Sequence, residues 1–420
     1  MHHELMSLKE LPILPLTCCL AFSLPGYALA GSGWKANPAV IRKVSQERPD
    51  FCFEEDKVPT YTLPPLFEPG TKPSPEAWSR RRKELLELFE TQVYGRFGVQ
   101  PDKVYYSVAE ENPAAMNGKA TGQRLTIHCE KGERKFAFEV VLFLPNGTPN
   151  PVPVFLFLNN RAPSHTDPTR TVKTEFWPAE LLIERGFGAA AFSVRALSPD
   201  SPERYREGVL SFLEVNPQRP DAPGSLAAWA GGAQRVMDCF QTHPRINAQQ
   251  VAVVGHSRGG KAALWAGAQD ERFSLVISNE SGCGGAALSR RRFGETLARM
   301  NGRYPHWCCP NFHSYNDKEA SLPIDQHQLL ALVAPRGLYV ASADEDLWSD
   351  PRGEYLALVH ASPVYELLGH KGITKPEMPP LNTPVRADRL GYHIRSGSHD
   401  LVRKDWEFFI AFAEQLWRRR

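Results

Sequence analysis

Ser257 stands in Gly255-His256-Ser257-Arg258-Gly259, with an apolar run at residues 251–254 before it and Lys261-Ala-Ala-Leu-Trp after it. Strand, glycine-flanked turn and apolar helix, in that order, form the setting in which G-x-S-x-G lifts a serine hydroxyl above a sheet beside the first N–H groups of a helix. That arrangement suits covalent attack on a carbonyl; a glycine turn with an incidental serine is the plain alternative. A hydroxyl is a poor nucleophile until a base takes its proton, so a histidine is required, and in this order of elements it follows an acid further along the chain. His360 falls in a helical stretch, His370 in a polar loop and His393 inside a strand at 390–395. His399, in Ser396-Gly-Ser-His399-Asp400, comes just past that last strand, at the sheet end where Ser257 must also lie.

Two places offer the acid. Glu280 follows the strand 275–278, and Asp344, Glu345 and Asp346 follow the next strand; fold analogy alone favours Asp346 or Asp344, and a solvated loop carboxylate is the alternative for each. Arg258 puts a fixed positive charge beside the serine, where an oxyanion would develop. Arg258 and Lys261 both oppose the dipole at the start of their helix, which calls for a local reason. Trp348 could stack on a sugar face or pack beneath its loop. The run Arg290-Arg-Arg292 could attract an acidic polymer, but a solvated helix face is the better reading. His306-Trp-Cys-Cys-Pro-Asn-Phe-His313 contains two adjacent cysteines without the spacing that brings two sulfurs to one tetrahedral ion, so no metal is expected; disulfide or core cysteine fits better. No motif calls for a cofactor.

The elements that must position these groups follow from periodicity. Residues 31–100 are rich in proline and charge and hold an amphipathic helix at about 75–94, which reads as an N-terminal segment packed on a core. Strand-like runs at 103–109, 121–128 and 136–144 precede short apolar runs at 152–158, 189–194, 251–254, 275–278 and 337–341, alternating with helices, and a C-terminal helix at about 402–417 closes the chain. Apolar strands alternating with helices imply a parallel sheet covered on both faces, hence a three-layer α/β sandwich with a mostly parallel central sheet, spanning 101–420. The long loops 198–223 and 369–388 are candidates for walls around a site.

In the 420 residues, 49 Lys and Arg against 47 Asp and Glu leave a formal charge of +2, and no basic run interleaves with aromatics, so nucleic acid is not an expected partner. Residues 1–30 carry an apolar run and end in Ala28-Leu29-Ala30, the small-x-small form of a cleaved export signal; no later stretch has the length of a membrane span, and a secreted or periplasmic monomer without a membrane partner is expected. Outside that leader the cysteines are Cys52, Cys129, Cys239, Cys283, Cys308 and Cys309.

From about residue 151 to the C-terminus, Gly255-His-Ser257-Arg258-Gly-Gly-Lys261, Asn279-Glu280-Ser-Gly-Cys-Gly-Gly, Asp325-Gln-His, Ala334-Pro-Arg-Gly-Leu-Tyr-Val and Gly397-Ser-His399 resemble the glucuronoyl esterases, carbohydrate esterase family fifteen, on the α/β-hydrolase fold. The resemblance implies hydrolysis of esters of (4-O-methyl-)glucuronic acid, as in lignin–glucuronoxylan cross-links. It implies Ser257 as nucleophile, His399 as base, Glu280 as acid, Arg258 in the oxyanion hole, and Lys261, Glu295 and Trp348 as sugar contacts. Bacterial members often carry a second carboxylate in the later loop, which fits Asp346. Fungal members have a cysteine before the serine, bridged to the histidine loop; here that position is His256 and no cysteine follows Cys309, which resembles the bacterial type. An acetyl-xylan esterase or related carboxylesterase is the competing enzyme, and would not need Arg258 and Lys261; a catalytically idle carbohydrate-binding scaffold is the competing non-enzyme.

Overall fold

The computed structural model describes residues 33–149 and 151–418; the export signal expected at 1–30 lies outside them. Three polar-edged strands come first, β1 (Lys103–Ala115), β2 (Ala120–Lys131) and β3 (Arg134–Pro145), followed by the apolar strands β4 (Val152–Asn159), β5 (Gly188–Ser193), β6 (Ile246–His256), β7 (Leu275–Asn279), β8 (Gly337–Ala343), β9 (Val385–Arg386) and β10 (Leu390–Arg395). They make one ten-stranded sheet in the order β1-β2-β3-β5-β4-β6-β7-β8-β10-β9. From β5 to β10 every neighbouring pair is parallel, and β1–β3 and β9 add antiparallel margins. Every residue of β7, β8 and β10 is buried, as strands covered on both faces must be.

One face packs under the helices Ser225–Phe240, Arg258–Gln269 and Pro351–Leu367, and the other under Ala179–Glu184 and Arg403–Arg418. This is the α/β-hydrolase sandwich. After β4 the chain moves one way along the sheet to β5, and from β6 onward it moves the other way. The crevice at the carboxyl ends of β4 and β6 is therefore a topological switch point, where open α/β sheets bind ligands.

Most strand runs in the sequence reappear with longer ends, while 390–395 keeps its bounds and 189–194 shifts to Gly188–Ser193. β1 continues through Glu110, Glu111 and Asn112, which pair with Arg124, Gln123 and Gly122, because an edge strand can be polar. The helix expected at 75–94 winds as an α-helix over Pro75–Phe89, started by the Ser74 hydroxyl, and changes to a π-turn at Glu90–Tyr94. A further helix, Pro38–Glu47, has no counterpart in the sequence reading. Arg290 and Arg291 correct the solvated-face expectation: both are buried in a single 3-10 turn. Arg290 bonds the carbonyls of Leu322 and Ile324 and the Asp325 carboxylate, and Arg291 bonds Asp350 and Glu55, so these cations tie loops together. Only Arg292 remains substantially exposed, paired with Asp317.

Candidate active site

Ser257 sits at the carboxyl end of β6 with φ 56° and ψ −127°, a conformation that a non-glycine residue adopts only when its surroundings force it. The flanking glycines explain how. A Cβ on Gly255 would lie 2.0 Å from the Gly259 carbonyl oxygen, so the strand end and helix start approach each other closer than any side chain allows. The Ser257 N–H donates to the Asn279 carbonyl at 2.8 Å, and its own carbonyl accepts from Gly260 and Lys261, which starts the helix Arg258–Gln269.

His399 follows β10, and its side chain is 38 % exposed, so the ring is reachable from the crevice. Its Nδ1–H points at two carboxylates: Asp346 Oδ2 at 2.7 Å and Glu280 Oε2 at 3.3 Å. The resemblance implies Glu280 as the acid, yet the shorter contact belongs to Asp346. Glu280 is otherwise engaged, by Arg395 Nη2 at 2.6 Å and by the Asp400 N–H at 3.0 Å. Asp344 accepts from the Gly397 N–H and braces the histidine loop from the side. His393 is fully buried against Asp405, consistent with its place inside a strand.

Burial opposes charge on His399, but Asp346 and Glu280 outweigh it and raise the imidazole to about 10. Burial, with Asp346 adding to it, raises Glu280 above the ordinary carboxylate range against the pull of His399 and Arg395. The His256 ring lies against His399 at a tilt, with centroids 4.5 Å apart, and donates from Nδ1 to Asn279 Oδ1 at 2.6 Å. Burial, followed by repulsion from His399, holds His256 well below the ordinary histidine range, so it stays neutral beside the candidate base.

A cavity of about 220 Å³ collects Ser257, Arg258, Lys261, Glu280, Glu295, Asp346, Trp348 and His399, together with Arg48, Tyr304 and Trp307. These eight candidates thus line one chamber, whereas Asp344 and Glu345, also offered for the acid, do not. Arg258 pairs with Asp200, whose carboxylate also accepts from His306 Nε2 at 2.9 Å and Trp307 Nε1 at 2.8 Å. Those three partners overcome the burial of Asp200 and hold it far below the usual carboxylate range. The Arg258 Nε is buried and meets no acceptor among the described residues. Lys261 donates to the carbonyls of Ser281, at 2.5 Å, and Cys283, and lies 3.9 Å from Glu295. Trp348 packs at a tilt against Phe51 with centroids 4.7 Å apart, and the Arg48 guanidinium lies 3.9 Å over its ring.

Sequence reasoning missed Asp200, Arg395, Glu354 and Arg48. Asp200 does belong to the loop 198–223 marked as a wall; the loop 369–388 contributes nothing to this chamber, where the N-terminal segment supplies Arg48 instead. Glu354 accepts from the Ser281 and Gly282 N–H groups and the Ser342 hydroxyl, fixing the loop that follows Glu280. The six described cysteines are all free thiols, five of them buried, so the core reading replaces the disulfide one. Among the described residues, the one acid and imidazole set close enough to share an ion is Glu280, Asp346 and His399, within 4.8 Å of one another. Their bonds to each other, to Arg395 and to the Asp400 N–H account for the same closeness.

The family model for glucuronyl esterases of fungi matches residues 127–369. A carbohydrate esterase of an unknown prokaryotic organism is 39 % identical over 416 residues, covering 91 % of this chain and 94 % of that protein. The 4-O-methyl-glucuronoyl methylesterase of Schizophyllum commune is 29 % identical and covers 70 % of each chain. Among solved structures, a glucuronoyl esterase from Solibacter usitatus superposes with a TM-score of 0.80 at 39 % identity, over 86 % of this chain and all of that one. A promiscuous esterase of carbohydrate esterase family fifteen from a marine bacterial metagenome gives 0.77 at 39 % identity, over 87 % and 99 %. With that match to the family model and that identity along nearly its whole length, the chain belongs to the glucuronoyl esterases of carbohydrate esterase family fifteen and is a carboxylic ester hydrolase.

Proposed function

We propose that this protein is an exported serine esterase that hydrolyses esters of (4-O-methyl-)glucuronic acid, such as those joining lignin alcohols to glucuronoxylan, through an acyl-enzyme. The observation that carries the reading is the single chamber holding Ser257, His399 and two carboxylates beside Lys261, Glu295 and Arg258. His399 Nε2 takes the Ser257 proton as Oγ attacks the ester carbonyl, and Asp346 and Glu280 stabilise the imidazolium. Negative charge develops on the carbonyl oxygen beside the Arg258 side chain and the start of its helix, both fixed before reaction. Asp200, Tyr304 and Trp307 hold that guanidinium in place. When the intermediate collapses, His399 gives its proton to the departing alcohol; water then repeats the sequence on the acyl-enzyme. Because the sugar is the acyl half of such an ester, the chamber must grip ring hydroxyls next to the oxyanion, and Lys261 and Glu295 are the polar side chains available there. Export rests on the small-x-small pattern at residues 28–30; among the described residues no helix is long and apolar enough to cross a membrane.

Hydrolysis of benzyl glucuronate, compared with acetylated xylan and p-nitrophenyl acetate, tests the reading. We expect the highest kcat/KM on the glucuronate. Preference for acetylated xylan would assign the competing carboxylesterase activity, and no hydrolysis of any of the three would leave only a binding role.

A further inference from the structure

Past Trp348 the chamber continues into a groove that the chemistry above does not use. This groove, of about 510 Å³ against about 220 Å³ for the chamber, shares Arg48, Arg303 and Trp348 with it and excludes Ser257 and His399. Arg299 and Phe51 also line it, so three arginines and no carboxylate surround the space. Arg299 and Arg303 belong to the helix Leu297–Arg303, which begins two residues after Glu295, the candidate sugar contact. The groove therefore leads away from the side of the chamber that takes the acyl half, the half joined to the polymer. Its guanidinium groups rest on aromatic rings: Arg48 lies 3.9 Å over Trp348, Arg299 5.0 Å over Phe51 and Arg303 5.3 Å over Tyr304. Contact through a ring face leaves the in-plane N–H donors of a guanidinium unspent. Among the described residues Arg48 and Arg303 have no hydrogen-bond acceptor, and Arg299 has one exposed carboxylate, Asp50, at 3.3 Å.

We propose that this groove is an anion subsite, and that it holds a second, free uronate carried by the same polymer as the ester under attack. The inference rests on the function proposed above and adds the recognition of an ionised sugar that does not react. An esterified glucuronic acid has no charge, so three arginines with open donors have no partner in the reacting group. A polymer that bears several acidic side groups, only some of them esterified, keeps its remaining carboxylates ionised at neutral pH. Such a carboxylate can take two parallel N–H bonds from one guanidinium. Farther from the chamber the balance of charge changes. A third groove, which shares Phe51 and Arg299 with this one, adds Arg292 and Lys57 but also Asp50 and Asp317, so uncompensated positive charge is greatest next to the chamber.

The test uses xylo-oligosaccharides that bear two glucuronic acid groups, one methyl-esterified and the other either free or reduced to neutral glucose. Wild-type kcat/KM should be about fivefold higher on the compound with the free acid, and the difference should shrink as salt screens the contact. Arg299→Gln should lower it to about twofold and Arg299→Glu should abolish it, while both variants cleave methyl glucuronate, which occupies the chamber alone, at the wild-type rate. Asp50→Asn frees Arg299 from its resident partner and should widen the difference, a gain that a damaged fold does not produce. Equal kcat/KM on the two oligosaccharides in the wild type, or a difference that survives Arg299→Glu, would overturn the subsite. A wild type that leaves methyl glucuronate intact overturns the underlying uronate reading, and this inference with it.

Discussion

His399 faces two carboxylates at once, and the distances divide their work. Asp346, at 2.7 Å, is placed to hold the imidazole tautomer, while Glu280 spends its oxygens on Arg395 and the Asp400 N–H as well. A base must be neutral to accept the serine proton. Since the carboxylates raise His399 to about 10, kcat/KM should climb with pH beyond the ordinary histidine range. Asp346→Ala removes the largest raising influence, so the rising limb should move to lower pH while the maximal rate falls. A limb that stays put would show that Asp346 does not face the working base. Glu280→Ala should instead cost stability, by about 3 kcal/mol, because buried Arg395 then keeps one carboxylate partner, Asp405, besides the carbonyls of Ser396, Ser398 and Asp400; thermal melts of the two variants separate the roles. Lys261 ties Ser281 and Cys283 to the chamber floor, so Lys261→Ala should lower turnover on acetate and glucuronate alike, with the rise in KM confined to the glucuronate. Equal KM changes on both would remove the sugar contact. Ser257 and His399 could be read from motif and chain position. Arg395 and Asp200 could not, because each acts on a partner 115 or 58 residues away that no local spacing announces.

The nucleophile turn is the element on which the rest depends, and its glycines are steric necessities. Gly255→Ala would drive a methyl into the Gly259 backbone at 2.0 Å, which no side-chain rotation relieves. We expect at least about a hundredfold loss of kcat, together with a lower melting temperature; near-normal kinetics would mean that the turn tolerates a wider approach. One position along, His256 stands where fungal relatives have a bridging cysteine, by the resemblance above, and its ring, tilted against His399, supplies a non-covalent contact to the same loop. Strands were legible because burial on both faces demands unbroken apolar runs. Helix Pro38–Glu47 was missed although Asn37 caps it and Val40, Ile41 and Val44 share one side, because that short signal lies within a stretch rich in proline and charge, and the arginine run misled because its burial depends on acceptors in distant loops.

At the scale of the molecule, the sheet's switch point leaves a crevice beside β4 and β6, and the site's groups come from the segments after β5, β6, β7, β8 and β10, with Arg48 added by the N-terminal segment. The N-terminal segment is tied into that body: His327 and Gln328 reach the carbonyls of Pro64 and Pro65, and Trp34 bonds the Pro379 carbonyl. It also supplies Arg48, so the segment belongs to the site and not only to the scaffold. If residues 1–30 act as an export signal, the protein recovered outside the producing cell should begin at Gly31. N-terminal sequencing that finds the intact leader on the exported protein would contradict this.

The central claim is that Ser257 carries the glucuronoyl group during turnover. Rapid acid quench of the enzyme with benzyl glucuronate, followed by peptide mass spectrometry, should find a glucuronoyl adduct on the peptide containing Ser257, and none in Ser257→Ala, which should fold normally and lose esterase activity. An adduct on another residue, or continued ester cleavage by Ser257→Ala, would contradict it.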